Sequence, residues 1–293
     1  MPDHDMRSGA SPLSGKAVVI TGAGRGIGAS CAELACALGA DVVIADIDRD
    51  VLESVASKIR ERGGSVHASV ADVTDINDAQ RIVAACVERF GHIDGLVNNA
   101  ALHAQEWFWD MDPAWSRRMV DVNVLGPIYC AHAAALAMRE RGGAIVNMTS
   151  GSQSGLPAWS AYGATKGAVA SLTYSLAMEL GDAGIRVNAV SPMAATRMSD
   201  PAPGFAPAAP IGHTTFPPAS NNAAVVAFLL SDHSAPLTGQ VVRIDADGIS
   251  LMTHPAILNE SFRAGSDWSF SDVQHLFETG LATLSQPLGI VRQ

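Results

Sequence analysis

Tyr162 and Lys166 stand four residues apart, and residues 161–181 around them read as an amphipathic helix, so phenol and ammonium project from one face a single turn apart. A free phenol has a pKa near 10, and bringing it down by about three units, to give and take protons near neutrality, needs about 4 kcal/mol of differential stabilisation. One cation about 4 Å away supplies that order of energy at an effective dielectric of 20. The pair alone is common on exposed helices. A second feature gives it meaning: a strand-like run enters Thr21-Gly22-Ala23-Gly24-Arg25-Gly26-Ile27-Gly28, and a helix begins there. Glycine at such a turn lets backbone amides approach a pyrophosphate, which the helix N-terminus favours by its free N–H groups and dipole. The next strand ends on Asp46, eighteen residues past Gly28, where an acid receives the ribose hydroxyls of a dinucleotide. A carboxylate there repels a 2′-phosphate by several kcal/mol at about 4 Å, so NAD is expected ahead of NADP. Arg25 has two readings, pairing with such a phosphate or lying over the adenine, and the second is preferred.

The elements that must hold these residues alternate along the chain. Strands are expected near 16–21, 41–46, 66–70, 94–97, 144–149, 185–190 and 240–244. Helices fill 26–38, 48–61, 76–90, a part of 113–140, 161–181 and 221–230. Seven strands alternating with helices give an α/β class with a doubly wound parallel sheet covered on both faces. Residues 1–12 read as a disordered lead and 13–250 as one domain. Within it residues 199–220 hold six prolines and fit either a lid or a surface loop. Residues 251–293 form a C-terminal extension too short for its own core, with a helix-like run from Ser271 to Leu284 capped by Ser271 or Asp272.

Composition narrows the class. Apolar residues make up 48% and charged ones 16% of the 293, enough for a buried sheet and far from the profile of disorder. A net charge of −10 without a Lys/Arg cluster excludes a nucleic-acid surface, and no apolar run approaches a membrane span. Cys31, Cys36, Cys86 and Cys130 lack metal-ligand spacing, so buried thiols in a reducing cytoplasm are expected and no metal is.

Taken together the chain resembles the short-chain dehydrogenases/reductases over about residues 13–250. The resemblance rests on TGAGRGIG at 21–28, Asp46, Asp72-Val73, Asn98-Asn99-Ala100, Asn123 in DVNVLGP, Ser150 in IVNMTS, Tyr162-Gly-Ala-Thr-Lys166, and Ser191-Pro192 followed by Thr196. It implies a Rossmann-like domain with sheet order 3-2-1-4-5-6-7, assembled as a homotetramer or homodimer. It further implies that Tyr162 is the general acid/base, that Lys166 holds the nicotinamide ribose and tunes the phenol, and that Ser150 bonds the substrate oxygen. Asn123 would hold a water chain. The cofactor set it implies is Gly22, Arg25, Gly26, Ile27, Gly28, Asp46, Ile47, Asp72 at the adenine amino group, Val73 on the adenine ring, Asn99, Ala100, Tyr162, Lys166, Pro192 and, at the carboxamide, Thr196.

Four departures stand out. Ala101 and Met193 replace usual glycines, the stretch from Ser150 to Tyr162 is one residue short, which keeps Ser152 as a second candidate hydroxyl, and Pro192–Met198 is also one short. Trp107, Phe108, Trp109, Trp159, Phe205 and Phe216 fall in loops the family places around its substrate, so an apolar, cyclic or aromatic alcohol or ketone is expected, with core packing the other reading. Rival functions are an NADPH-dependent 3-oxoacyl reductase and a dinucleotide-binding protein without chemistry. The tail either closes a substrate pocket or stabilises an oligomer.

Overall fold

Short, almost wholly apolar runs such as Ala17–Thr21 and Asp41–Asp46 can be stable only where both faces of a strand are covered, the situation inside a parallel sheet. The computed structural model describes residues 11–194, 217–245, 248–256 and 269–279. Its strands are β1 (Ala17–Thr21), β2 (Asp41–Asp46), β3 (Val66–Val70), β4 (Gly95–Asn98), β5 (Gly143–Met148), β6 (Ile185–Ser191), β7 (Val241–Ile244) and β8 (Ile249–Leu251). They lie in the order β3-β2-β1-β4-β5-β6-β7-β8. The first seven are parallel and keep the expected order. The eighth is an addition: β8 pairs antiparallel with β7 and is exposed along its length, and three residues are too few to show a period.

Helices α1 (Gly26–Ala37), α2 (Arg49–Glu61) and α7 (Ala219–Leu230) cover one face, and α3 (Ile76–Phe90), α5 (Gly126–Met138) and α6 (Ser160–Glu179) the other. Alternation along β1 shows both cores at once: Val18 and Ile20 point to the first, Ala17 and Val19 to the second. Asp48, Asp75 and Asp112 cap α2, α3 and α4 (Pro113–Val120) by accepting from amides of the first turn. Between α4 and α5 the helical register widens into a π turn over Asp121–Leu125. Helix is expected over a part of 113–140; the π turn breaks the helical register between α4 and α5 and presents Asn123 inward, a common device at functional sites.

Sheet order reverses between β1 and β4, so their C-terminal ends open a crevice. The glycine turn leaves β1 there, and the Ser150 segment leaves the adjacent β5.

Ser11 to Gly15 form a turn rather than a lead-in. Leu13 is fully buried and its amide donates to the Leu38 carbonyl at 3.0 Å, which ties the start of the domain to the end of α1. Leu13→Ala should therefore cost stability toward the lower end of about 2–5 kcal/mol, measured by denaturant melting; no change would mean the turn contributes nothing. Residues 1–10 lie outside the described residues.

After Met252 the chain forms a second compact unit, Thr253–Gln293. Its helix α8 (Phe270–Thr279) begins one residue before the expected start. Ser269 and Asp272 cap it reciprocally, the Ser269 amide donating to Asp272 at 2.8 Å and the Asp272 amide to Ser269 Oγ at 3.2 Å. Its cap is thus Ser269 rather than Ser271, and residues 280–284 of the expected helix lie outside the described ones.

Candidate active site

The turn after β1 is closed from behind. Thr21 Oγ1 accepts from the amides of Asn99 and Ala100 at 3.0 and 3.2 Å, and the Asn99 side chain donates to the carbonyls of Thr21 and Gly22 at 3.0 and 2.9 Å. A side chain on Gly22 would strike the Ala100 backbone at 2.6 Å, and one on Gly28 would strike the Gly22 carbonyl. These glycines let the loop fold on itself, which turns the start of α1 outward.

Unlike α2, α3 and α4, α1 has no capping side chain, and it has no acid in its first turn, so its leading N–H groups are left to an anion. Asp46 stands beside them, accepting from the Gly24 amide at 2.9 Å and the Asp48 amide at 3.1 Å. Next to it Ile47 is 62% exposed, an apolar surface that a flat ring would cover. Arg25 turns away to pair with Asp48 at 2.6 Å, both half-exposed, which occupies the guanidinium that would otherwise meet a 2′-phosphate. These residues fit a dinucleotide.

On α6 the buried stripe is Tyr162, Thr165, Lys166, Val169, Thr173 and Ala177, a helical period carrying polar groups. The Ser150 hydroxyl hydrogen-bonds the Tyr162 phenol and also accepts the Ser152 amide at 3.2 Å. Among the described residues Ser152 has no partner for its sealed-in hydroxyl, and Ser150 is the hydroxyl that meets the phenol. Gly163 makes this packing possible, since a Cβ there would come within 2.6 Å of the Ser152 carbonyl. Lys166 Nζ donates to the Met148 carbonyl of β5 at 2.8 Å and sits 5.6 Å from the centre of the Tyr162 ring.

This arrangement corrects the expected electrostatics. Burial pushes the Tyr162 phenol up to about 12, against which the Ser150 hydrogen bond acts, and burial draws Lys166 down to about 8. Without a bound cofactor the lysine does not acidify the phenol: desolvation of the would-be phenolate outweighs a cation already committed to a carbonyl. The resting phenol is therefore a proton donor at neutral pH.

Asn123 is fully buried. Its Oδ1 accepts the Leu102 amide at 2.7 Å, and Nδ2 donates to the Leu102 carbonyl at 2.7 Å and to Thr165 Oγ1 at 3.0 Å. Both amide protons are spent on protein, so its side chain braces the loop after β4 against α6, and holding a water chain is not open to those protons.

Asp72 is likewise engaged, by Thr74 through amide and hydroxyl at 3.0 and 2.8 Å and by Arg118 at 3.0 Å. Burial raises its pKa, yet these hydrogen bonds hold it below the usual value. Val73 is buried and lies under Gly126. Pro192 is half-buried after β6, and Asn222 on α7 donates to the Met193 carbonyl at 3.0 Å. Thr196, Phe205, Phe216 and positions 199–216 of the proline-rich stretch lie outside the described residues.

Among the expected substrate-loop aromatics, Trp159 reaches the phenol, with ring centres 5.5 Å apart. Trp107, Phe108 and Trp109 are 50%, 62% and 91% exposed on a 3₁₀ turn, so they do not pack in the core.

Several residues here carry no local signal. Asn98 donates to Asn147 at 2.9 Å and Asn147 to Thr173 at 3.0 Å, a buried polar rung from β4 through β5 to α6. Met148 matters through its carbonyl, and Thr165 through its grip on Asn123. His103 lies beside Tyr162, ring centres 6.3 Å apart.

Residues 22–248 match the family described as enoyl-(acyl carrier protein) reductase. The chain is 36% identical over 248 residues to 2,5-dichloro-2,5-cyclohexadiene-1,4-diol dehydrogenase of Sphingobium indicum, covering 80% of this chain and 97% of that one. It is 37% identical over 238 residues to trans-4-hydroxycyclohexanecarboxylate dehydrogenase of Sinomonas cyclohexanicum, covering 78% and 91%. A solved short chain dehydrogenase from Mycobacterium avium superposes with a TM-score of 0.84 at 27% identity, covering 96% of this chain and all of that one.

Proposed function

The chain belongs to the short-chain dehydrogenase/reductase family of oxidoreductases acting on CH–OH groups, and on that premise we propose that it uses NAD to interconvert a cyclic secondary alcohol and its ketone. One observation carries the reading: the Ser150–Tyr162–Lys166 set stands at the end of β5, beside the crevice into which the uncapped α1 and Asp46 open. Two relatives named for six-membered cyclic alcohols supply the substrate class.

Bound nicotinamide would supply the hydride acceptor or donor. The chain's own part is to hold and protonate. Ser150 fixes the substrate oxygen against Tyr162, and the phenol gives that oxygen a proton as a carbonyl becomes an alcohol, or its phenolate takes one in the reverse sense. With the cofactor bound, Lys166 would hold the ribose and favour the phenolate. The α1 amides with Gly22, Gly26, Ile27 and Gly28 take the pyrophosphate, Asp46 the ribose hydroxyls and Ile47 the adenine, while Pro192 and Thr196 serve the carboxamide end.

The direct test is NADH formation from a panel of cyclic secondary alcohols at alkaline pH. Simple sugars turning over faster than cyclic alcohols would overturn the substrate class. For the cofactor, Asp46→Ala should raise the NADP-to-NAD ratio of kcat/KM by about tenfold or more, since it removes a repulsion of several kcal/mol. An unchanged ratio would remove Asp46 from cofactor choice.

A homotetramer or homodimer completes the proposal, supported by Leu136 on α5, Met178 on α6 and Phe228 on α7, apolar and 60%, 86% and 45% exposed. Free Cys31, Cys36, Cys86 and Cys130 support a reducing cytoplasm.

A further inference from the structure

His103 is held through its backbone neighbour, its own carbonyl and its ring. The residue before it, Leu102, is clamped at both amide and carbonyl by Asn123, and its own carbonyl accepts Trp115 Nε1 at 3.3 Å. Its ring lies on Trp159, centres 5.9 Å apart and planes 19° from parallel, and meets Tyr162 nearly edge-on at 6.3 Å and 78°. With the 5.5 Å between Trp159 and Tyr162, the three rings close a triangle around the reacting phenol.

Phenylalanine or leucine would complete such a wall if shape and apolarity were all it required. An imidazole adds polar atoms, and among the described residues neither ring nitrogen has a hydrogen-bond partner or is sealed from solvent. Burial draws the imidazole pKa below its usual value, so the ring is neutral at neutral pH and offers one donor and one acceptor. Half-buried polar atoms of this kind are costly to leave dry when a pocket closes over them.

We propose that His103 is a specificity-determining residue whose imidazole hydrogen-bonds a second oxygen function of the substrate, so that the enzyme prefers diols and hydroxyketones to plain cyclic alcohols. This deepens the reading above and rests on it. A ring lying against Trp159 would bring its carbinol to Tyr162 and Ser150 and a second oxygen to the imidazole. The neutral form serves a hydroxyl as acceptor or a carbonyl as donor.

The experiment compares kcat/KM with NAD for cyclohexanol and for cyclohexane-1,2-, 1,3- and 1,4-diol in the intact wild type, His103→Phe and His103→Gln. At least one diol should exceed cyclohexanol by about tenfold per hydroxyl in the wild type, one hydrogen bond's worth of discrimination. His103→Phe, which keeps the ring stack, should abolish that preference through KM while cyclohexanol turnover stays near wild type. His103→Gln should restore part of it. A preference that survives His103→Phe, no preference in the wild type, or equal loss on both substrates overturns the role of His103 alone. Failure of the wild type on all four compounds, with NADH still bound, overturns instead the cyclic-alcohol reading beneath it.

Discussion

Tyr162→Phe is expected to lower turnover by about 10²–10⁴-fold, equivalent to about 3–5 kcal/mol of barrier, while NADH binding stays near wild type. The two halves of this expectation come from different parts of the site. Among the described residues the phenol's hydrogen-bonding hydroxyl is that of Ser150, so removing the phenol oxygen deletes the proton donor and leaves the glycine turn, Asp46 and the start of α1 in place. Phenylalanine also keeps the ring against which His103 and Trp159 pack, so the fold has no reason to fail. Direction matters as well. With the phenol pushed up to about 12 by burial, ketone reduction starts from the form already present at neutral pH, whereas alcohol oxidation needs the proton removed. Dehydrogenation by the wild type should therefore climb toward alkaline pH while reduction does not. Fluorescence titration with NADH beside steady-state assays in both directions measures all of this. Turnover retained in Tyr162→Phe would remove the phenol from the chemistry; NADH binding lost with turnover would make its role structural.

How much of this site is legible from residue order depends on how far apart the cooperating atoms lie. The glycine turn, Asp46 and the Tyr162–Lys166 pair are each local, written within one strand-to-helix turn, one strand end or one helical turn, and their spacing announces them. The seven buried strands are equally plain, because a strand covered on both faces must be apolar throughout. Contacts between elements leave no such trace. That Lys166 reaches a carbonyl eighteen residues away on β5 depends on how α6 lies on the sheet, and with it goes the pKa of the phenol. Spacing shows a cation near a hydroxyl but not the burial that opposes it, and here burial is the larger effect. The π turn at Asp121–Leu125 has the composition of ordinary helix and becomes visible only through what Asn123 grips. His103 is a lone histidine in a loop until the rings of Trp159 and Tyr162 converge on it.

Lys166→Met should make the unliganded protein more stable at neutral pH even as it removes turnover. The ammonium is buried and its pKa is drawn from 10.5 down to about 8, a difference that corresponds to about 3 kcal/mol of penalty on the charged form. The folded state carries that penalty in full below pH 8, where both folded and unfolded chains hold the proton. Between about 8 and 10.5 the folded chain gives up its proton before the unfolded one, so wild-type stability rises with pH, and above 10.5 the penalty is gone. Tyr162 acts in the opposite sense, losing stability between 10 and about 12, but it does so in both proteins and cancels in their difference. Methionine fills similar space without charge, and the Met148 carbonyl loses one donor at a cost of about 1 kcal/mol. The variant should thus gain about 2 kcal/mol at pH 7, roughly 4–8 °C in Tm at 2–4 °C per kcal/mol, and the gain should shrink steadily from pH 8 to 10.5. Turnover should fall by at least about 100-fold, because the cation that favours the phenolate and holds the ribose is absent. Stability given up for chemistry is what a functional buried lysine implies. A variant less stable than wild type at pH 7, or an advantage that does not change with pH, would mean that the ammonium is held there at no cost and that the lysine serves the fold instead.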